Sequence, residues 1–316
     1  MSKIKNSLFH LTIASLCLLL VISFLPVNIS GNLNQVKAEE FTIITTFTIL
    51  EDFVNEITGE KDDVRVICPP GAEIHEWELI PGNFVDLEEA DIVFYNGLNV
   101  EQWMEQVKAV AGSEVPVIAV GEKCNYPTQP IITGDYAGEP DPHIWMDVKG
   151  AISYVKTIKE YLIKHNPDNS EIYQKNTSQY IDELKNLETK LIEIMAEIPD
   201  KNRVLITTEA AFIYFADAFD FYHNGIWGTN TEEEGTPGQM KKIIDTINKK
   251  EPKAIFWEST GSDRYVKSIS EETNIPVFGP LYVDSVRKEG TGAENYINLM
   301  KFNADLLSEA LNSGQD

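Results

Sequence analysis

The segment PDNSEIYQKNTSQYIDELKNLETKLIEIMAEI, residues 167–198, separates two sets of short apolar runs and decides how the chain is organised. Apolar side chains recur in it at intervals of three and four residues; they are Tyr173, Tyr180, Leu184, Leu187, Leu191, Ile194 and Ile198. This spacing predicts one helix, which Asn166 can cap, Pro167 can begin and Pro199 ends. At full length it would measure about 48 Å, so we predict a rigid strut between two lobes. The alternative is a helical hairpin with an unmarked break near Asn176 or Ser178.

Short runs rich in β-branched residues lie on both sides of this helix. Four precede it, at residues 41–47, 64–68, 91–97 and 115–120, and four follow it, at 203–208, 221–228, 253–258 and 276–282. The runs are continuous rather than alternating, which is typical of parallel strands covered on both faces. Segments with helical spacing lie between them and would form the crossovers; examples are residues 49–57, 83–90 and 240–250. The chain is therefore predicted to be an α/β protein with two lobes, each with a mostly parallel four-stranded sheet.

The first 38 residues are typical of a secretory signal peptide. Lys3 and Lys5 precede an uncharged apolar run at 11–27, and Val36 and Ala38 supply the small residues that a signal peptidase reads. We predict cleavage after Ala38 and export to the periplasm or the outer cell surface. The predicted parts are a signal peptide (1–38), an N-terminal lobe (39–165), a linking helix (166–198) and a C-terminal lobe (199–316).

The three cysteines raise two separate questions. Cys17 is not a convincing lipid-attachment residue, because bulky Leu16 precedes it and the apolar run continues to residue 27. Cleavage leaves Cys68 and Cys124, and two cysteines in an oxidising compartment are more often paired than free. We expect a disulfide between them, with two buried thiols as the alternative.

The charge of the chain excludes one class of partner. It has 26 Lys and Arg against 50 Asp and Glu, a net charge of −24. Removing the leader, with its three lysines, leaves 23 basic residues and a net charge of −27. A nucleic-acid-binding protein needs a basic surface, which this composition does not supply. The same field repels an anionic membrane surface and attracts cations.

Four residues that can bind metal lie where predicted strands end. His75 follows the second run through a Pro-Pro-Gly turn, and His143 lies in the turn DPHIWMD at 141–147. Glu209 ends the strand LITTE, and Asp284 follows GPLYV. In open α/β sheets the functional crevice lies outside the carboxyl ends of the strands. Two imidazoles and two carboxylates there suit a divalent first-row ion, whose charge the carboxylates would offset.

Each of these residues also has a structural interpretation. A histidine at a strand end is more often a hydrogen-bonded structural residue than a ligand. Glu209 can interact with a helix dipole, and Asp284 can form a turn. We interpret His165 and His223 as structural, and His10 belongs to the leader.

The mature chain resembles a known family over essentially its whole length. The motifs that carry the likeness are PPGAEIHEWEL, ADIVFYNGLNVEQWM, DPHIWMD, TTEAAFIYFADAF, GTNTEEEGTPGQMKKIIDTI, AIFWEST, GPLYVDSV and AENYINLMKFN. In this order they resemble the metal-binding substrate-binding proteins of ABC transporters, in the group that carries manganese, iron or zinc. The resemblance implies two α/β lobes joined by one long helix, a metal ion between the lobes, and a membrane permease as partner. Its ligand positions fall on His75, His143, Glu209 and Asp284, and we expect a monomeric carrier without catalytic residues.

The ligand set also bears on which metal is carried. Zinc-specific members tend to have a histidine as third ligand and a histidine-rich loop between the first two ligands. Here the third position is Glu209, and residues 125–139 contain no histidine. Two nitrogens and two carboxylates suit Mn²⁺ or Fe²⁺ better than tetrahedral Zn²⁺. We therefore expect Mn²⁺, with Fe²⁺ next and Zn²⁺ as the alternative, because Zn²⁺ binds protein ligands more tightly than Mn²⁺ does.

Two other functions are weaker interpretations of the same sequence. An exported metallohydrolase would need a coordination position open to water, which four protein ligands would close. The chain has no GxSxG elbow, and HEWE at 75–78 lacks the second histidine of an HExxH motif. An adhesin-like surface role would be expected to show repeats, a stalk or an anchoring signal, none of which the sequence contains.

Overall fold

A computed structural model of the chain describes residues 40–59, 61–229, 234–287 and 290–312. The predicted signal peptide over residues 1–38, with Cys17 and His10, lies outside these ranges. Within them, no helix combines the length and the apolar character needed to cross a membrane.

The first lobe is built on one parallel sheet with the strand order β2-β1-β3-β4. Its strands are β1 (Thr42–Thr45), β2 (Asp63–Val66), β3 (Ile92–Tyr95) and β4 (Val117–Ala119), and its helices are α1 (Thr48–Thr58), α2 (Pro81–Glu88), α3 (Met104–Ala111) and α4 (Val120–Lys123). All four residues of β1 are buried, as expected for a central strand covered on both faces. The α1 helix buries Phe53 and Ile57, one turn apart, against this sheet.

The expected disulfide between Cys68 and Cys124 is absent, and both residues are buried thiols. Cys68 follows β2 and Cys124 lies just beyond β4, so the two lie near opposite edges of the sheet. Three strand spacings separate these edges by about 14 Å, whereas a disulfide needs Cα atoms within about 7 Å. The Cys124 thiol instead donates to the Gly121 carbonyl at 3.3 Å. The strand order therefore excludes the disulfide. The spacing of the two cysteines in the sequence does not reveal that order.

The predicted linking helix is continuous. After α5 (Val148–His165) and a 3₁₀ turn at Pro167–Asn169, the helix α6 runs over Ser170–Ala196, a length of about 40 Å. It passes through Asn176 and Ser178 without a break, so the helical-hairpin alternative is wrong. Its buried residues keep the predicted spacing; they are Tyr173, Thr177, Tyr180, Leu184, Leu187, Leu191 and Met195. The Asn166 side chain does not cap the turn that follows, because its amide donates to Asp62 Oδ1 at 3.1 Å and to the Tyr173 hydroxyl at 2.8 Å. Asn166 is instead the C-cap of α5, where its backbone N–H donates to the Leu162 carbonyl at 2.7 Å.

The described part of the second lobe contains four strands, which form two parallel pairs. The strands are β5 (Val204–Glu209), β6 (Tyr222–Trp227), β7 (Ile255–Glu258) and β8 (Val277–Leu281), and the helices are α7 (Ile213–Ala218), α8 (Pro237–Lys250), α9 (Arg264–Thr273) and α10 (Tyr296–Asn312). The pairs are β5-β6 and β7-β8. Side chains join β5 to β7, since Glu258 N donates to Thr208 Oγ1 and Glu209 N to Glu258 Oε2, both at 3.4 Å. The predicted single four-stranded sheet of this lobe is therefore divided where polar side chains replace the backbone ladder.

Candidate metal centre

His75 is the first of the four predicted residues at the centre. In the turn after β2, the backbone N–H of Ala72 donates to the Pro69 carbonyl at 3.0 Å. His75 lies just beyond this turn, and only 1% of its surface is exposed. Its Nδ1–H donates to the Val100 carbonyl at 3.1 Å. Nε2 is therefore the unprotonated nitrogen, and it lies 4.0 Å from Glu209 Oε1.

His143 is held by the residue two positions before it. Asp141 Oδ1 accepts both the backbone N–H of His143 at 2.9 Å and its Nδ1–H at 3.0 Å. The imidazole is fully buried and packs edge-on against Trp145, with ring centroids 5.3 Å apart. Its Nε2 lies 3.7 Å from Glu209 Oε1 and 3.7 Å from Asp284 Oδ1. A histidine oriented by a carboxylate through Nδ1 is a recurrent arrangement at metal sites.

The two carboxylates come from the second lobe. Glu209 is the last residue of β5 and Asp284 follows β8, so both lie at carboxyl ends of strands, as predicted. One ligand atom from each of the four residues lies within 4.8 Å of the other three, and all four side chains are buried. The structure thus brings together every predicted site residue.

Several polar atoms of this cluster have no hydrogen-bond partner among the residues that the structure describes. They are Nε2 of His75, Nε2 of His143 and both carboxylate oxygens of Asp284. Unsatisfied buried polar atoms are rare in folded proteins because each costs about 1–3 kcal/mol. A cation among them would satisfy the lone pairs at once, and two carboxylates would neutralise a divalent charge. The donor set therefore fits a divalent ion.

The protonation of the centre also suits a cation. Burial lowers the pKa of His75 to about 4, which keeps its imidazole neutral. Burial also raises the pKa of Asp284 to about 6, although His143 opposes this shift. Burial lowers the pKa of His143, but the carboxylates of Asp141, Asp284 and Glu73 together raise it, and the net shift is upward. A buried carboxylate destabilised in this way gains from a neighbouring positive charge.

Three acidic residues around the centre were not singled out from the sequence. Asp141 orients His143, and the spacing Asp-Pro-His is the signal that would have identified it. Glu101 accepts hydrogen bonds from Thr46 Oγ1 at 2.7 Å and from Asn96 N at 2.7 Å, and so shapes the loop that presents the Val100 carbonyl to His75. Glu258 is 3% exposed beside Glu209, and burial raises its pKa well above the usual range. The sequence offers no sign that the last two are buried.

The loop over residues 125–141 joins the two lobes at the side of the centre. The Tyr214 hydroxyl on α7 accepts from Gln129 N at 3.0 Å and donates to the Asp141 carbonyl at 2.7 Å. Lys242 on α8 donates to Thr133 Oγ1 at 2.7 Å. A cavity of about 20 Å³ lies under this loop; its lining includes His75, Leu98, Ile131, Tyr136, Glu139 and Thr229. The loop therefore closes over the His75 side of the centre.

The other two described histidines lie outside the cluster. The ring nitrogens of His223 are both used, since Nδ1–H donates to the Leu205 carbonyl at 3.1 Å and Nε2 accepts from Phe212 N at 3.2 Å. His165 ends α5, a position where a cation interacts favourably with the helix dipole. Both placements agree with a structural role.

Comparison with known proteins gives a consistent result. A family model described as zinc-uptake complex component A, periplasmic (ZnuA), matches residues 43–310. The manganese-binding lipoprotein MntA of Halalkalibacterium halodurans is 35% identical over 86% of this chain and 89% of its own length. The iron-binding protein YfeA of Yersinia pestis is 34% identical over 86% of each chain.

Solved structures of the same kind share the fold. The periplasmic zinc binding protein TroA from Treponema pallidum superposes with a TM-score of 0.79 at 27% identity, covering 86% of this chain and 99% of that one. A manganese-bound periplasmic metal binding protein from Candidatus Liberibacter asiaticus superposes with a TM-score of 0.78 at 25% identity, over 86% of this chain and the whole of that one.

Proposed function

Because the chain belongs to the ZnuA family of metal-uptake proteins, we propose that it captures a divalent metal ion outside the cytoplasm and delivers it to the membrane permease of an ABC transporter. One observation carries the proposal. His75, His143, Glu209 and Asp284 converge within 4.8 Å. Two imidazole nitrogens and the Asp284 carboxylate among them have no hydrogen-bond partner within the described ranges of the chain. We assign these four residues as the ligands of the transported ion.

We propose Mn²⁺ as the transported ion, with Fe²⁺ as the second candidate. Relatives are named for manganese binding and for iron binding, and one of the solved structures is of a zinc-binding protein. Two imidazoles with two carboxylates can supply up to about six donor atoms, which suits Mn²⁺ and Fe²⁺. The purified protein is expected to bind Zn²⁺ too, because affinity rises along the first-row series. Metal analysis of protein taken anaerobically from its native compartment identifies the transported ion.

The ligand assignment is tested by titration calorimetry with Mn²⁺. His143→Ala and Glu209→Ala should each weaken binding by about 100-fold or more, since each removes a ligand and leaves others unpaired. His165→Ala is the matched control and should bind as the unmodified protein does. Unchanged affinity in both ligand variants would show that the ion binds elsewhere.

Location and organisation follow from the same proposal. We propose export with cleavage after Ala38, a monomeric mature protein, and lobes over residues 39–165 and 199–316 joined by the helical segment 166–198. Relatives are named as lipoproteins or as periplasmic proteins, so the two forms must be distinguished. Mass spectrometry of the mature protein should find an N-terminus at Glu39. A lipid-modified Cys17 would contradict this.

A further inference from the structure

A small apolar surface begins five residues after His75 in the chain and contributes no side chain to the metal site. Among the described residues, four large apolar side chains are strongly exposed, and three of them adjoin one another on α2 and the residue before it. We call these three the α2 patch: Ile80 (52% exposed), Phe84 (38%) and Val85 (54%). The fourth, Ile192, lies alone on α6 and is 52% exposed.

Within α2, Val85 lies on the outer face, about 160° around the helix from the buried residues Asn83 and Leu87. Phe84 and Ile80 border that buried face, so the patch runs from the edge of the packed side onto the outer side of the helix. Helices at a protein surface normally place polar residues on their outer face. Contiguous exposed apolar side chains are characteristic of interaction sites.

Exposed acidic side chains lie before and after the patch in the chain: Glu76 and Glu78 precede it, and Glu88 is the last residue of α2. None of the three forms an ion pair in the part of the chain that the structure describes, whereas Arg65 pairs with Asp86 and Glu89 at the same helix. An anionic membrane surface would be repelled by the unpaired carboxylates. The complementary partner is a protein surface with apolar side chains at its centre and basic side chains at its edge.

Hydrogen bonds connect the patch to the segment that carries His75. Asn83 on α2 accepts through Oδ1 from Ile80 N at 3.0 Å and from Trp77 Nε1 at 3.3 Å. Its amide donates to the Ile67 carbonyl at 3.4 Å. Trp77 is two residues beyond His75, so a partner that shifts α2 also acts on the segment holding a metal-binding side chain.

We propose that the α2 patch is a docking surface for the extracytoplasmic face of the transporter's permease, and that the permease surface is apolar with a basic rim. This rests on the proposed transport function. Docking there would shift α2, and the hydrogen bond between Asn83 and Trp77 would transmit this shift to the segment that carries His75. The affinity of the centre for the metal would then fall at the moment of delivery.

The test uses the Mn²⁺-loaded mature protein and its permease–ATPase complex in nanodiscs of neutral lipid. The variant Ile80→Ser/Val85→Ser should raise the concentration needed for half-maximal ATPase stimulation by about tenfold or more. Ile192→Ser is the matched control, with the same exposure on another helix, and should behave as the unmodified protein. Manganese affinity and thermal stability should be unchanged in both. Replacing Glu76, Glu78 and Glu88 by Gln should make the stimulation less sensitive to salt.

The possible results separate the two proposals. Equal stimulation by the patch variant and the unmodified protein would overturn the docking surface while leaving the transport function standing. Sedimentation with phosphatidylglycerol vesicles that depends on the patch would overturn it in favour of a membrane surface, and patch-dependent dimerisation would overturn it in favour of a second copy. A protein that binds Mn²⁺ but never stimulates the complex would refute the transport function itself.

Discussion

Asp141 sets the orientation of the His143 ring, because one carboxylate oxygen accepts both the backbone N–H and Nδ1–H of that residue. Nε2 is thereby presented to Glu209 and Asp284 with its lone pair available. Asp141→Asn would place an amide where the acceptor is needed and disturb the tautomer. We expect manganese affinity to fall by about 10- to 100-fold in titration calorimetry.

The control for this change is Asp245→Asn, an exposed aspartate on α8. It should leave the affinity unaltered. Equal affinities for the Asp141 variant and this control would mean that the ring is oriented by packing against Trp145 alone.

Glu101 links the stability of the protein to pH. Burial raises the pKa of its carboxyl from 4.5 to about 7, against the opposing effect of its hydrogen bonds. The native state therefore holds a proton that the unfolded chain releases, and the free energy of unfolding falls as pH rises through this range. The loss attributable to this group is about 3 kcal/mol.

Glu101→Gln removes the titrating carboxyl. In urea denaturation of the metal-free protein, the free energy of unfolding of this variant should therefore decline less between pH 5 and pH 8 than that of the unmodified protein. At pH 5 it should be the less stable of the two, because an amide cannot accept all of the existing hydrogen bonds. Glu114→Gln, at an exposed position, should follow the unmodified protein. Parallel pH profiles for all three proteins would refute this role of Glu101.

At the scale of elements, the strands were the most predictable part of the fold. Each of the eight β-branched runs coincides with or overlaps an observed strand, because short continuous apolar segments between turns have few other ways to bury both faces. Strand order and pairing were less accessible. Both depend on contacts between residues that are distant in sequence. For this reason the predicted Cys68–Cys124 disulfide was wrong, and the division of the second lobe's strands into two pairs was not predicted.

The four ligand positions could be proposed because strand ends in such sheets share one edge. Their convergence could not be proved from spacing, since it depends on the relative position of two lobes. Glu101 and Glu258 were missed for a related reason. The burial of a lone acidic side chain depends on neighbours from other elements.

The continuity of α6 makes a prediction about helix breaking. Ser178 is exposed in the middle of the helix, so its side chain makes little contribution to packing. Ser178→Pro removes a backbone hydrogen bond there and should lower the free energy of unfolding by about 3 kcal/mol or more. Ser178→Ala at the same position should change it by less than about 0.5 kcal/mol. Thermal and urea unfolding measure both, and a tolerated proline would indicate a hinge in the helix.

The 125–141 loop connects the two lobes beside the metal centre. Tyr214 and Lys242 hold it from the second lobe through hydrogen bonds that must break if the lobes separate. Tyr214→Phe/Lys242→Met should therefore speed dissociation of the metal by about fivefold to tenfold, with a smaller effect on association. Stopped-flow competition with a chelator measures the two rates.

Lys249→Met is the control for the loop contacts, since this lysine lies on the same helix and forms no hydrogen bond or ion pair in the described part of the chain. Its dissociation rate should match that of the unmodified protein. If the double variant also matches, closure of the lobes does not depend on the loop.

The separation of Cys68 and Cys124 across the first sheet has a consequence for how the protein matures. No thiol oxidase is required to reach the native state, so the same fold should form in a reducing cytoplasm as well as after export. Melting temperatures with and without the reductant TCEP should coincide. A carrier of this kind can operate in bacteria that lack an oxidative folding pathway.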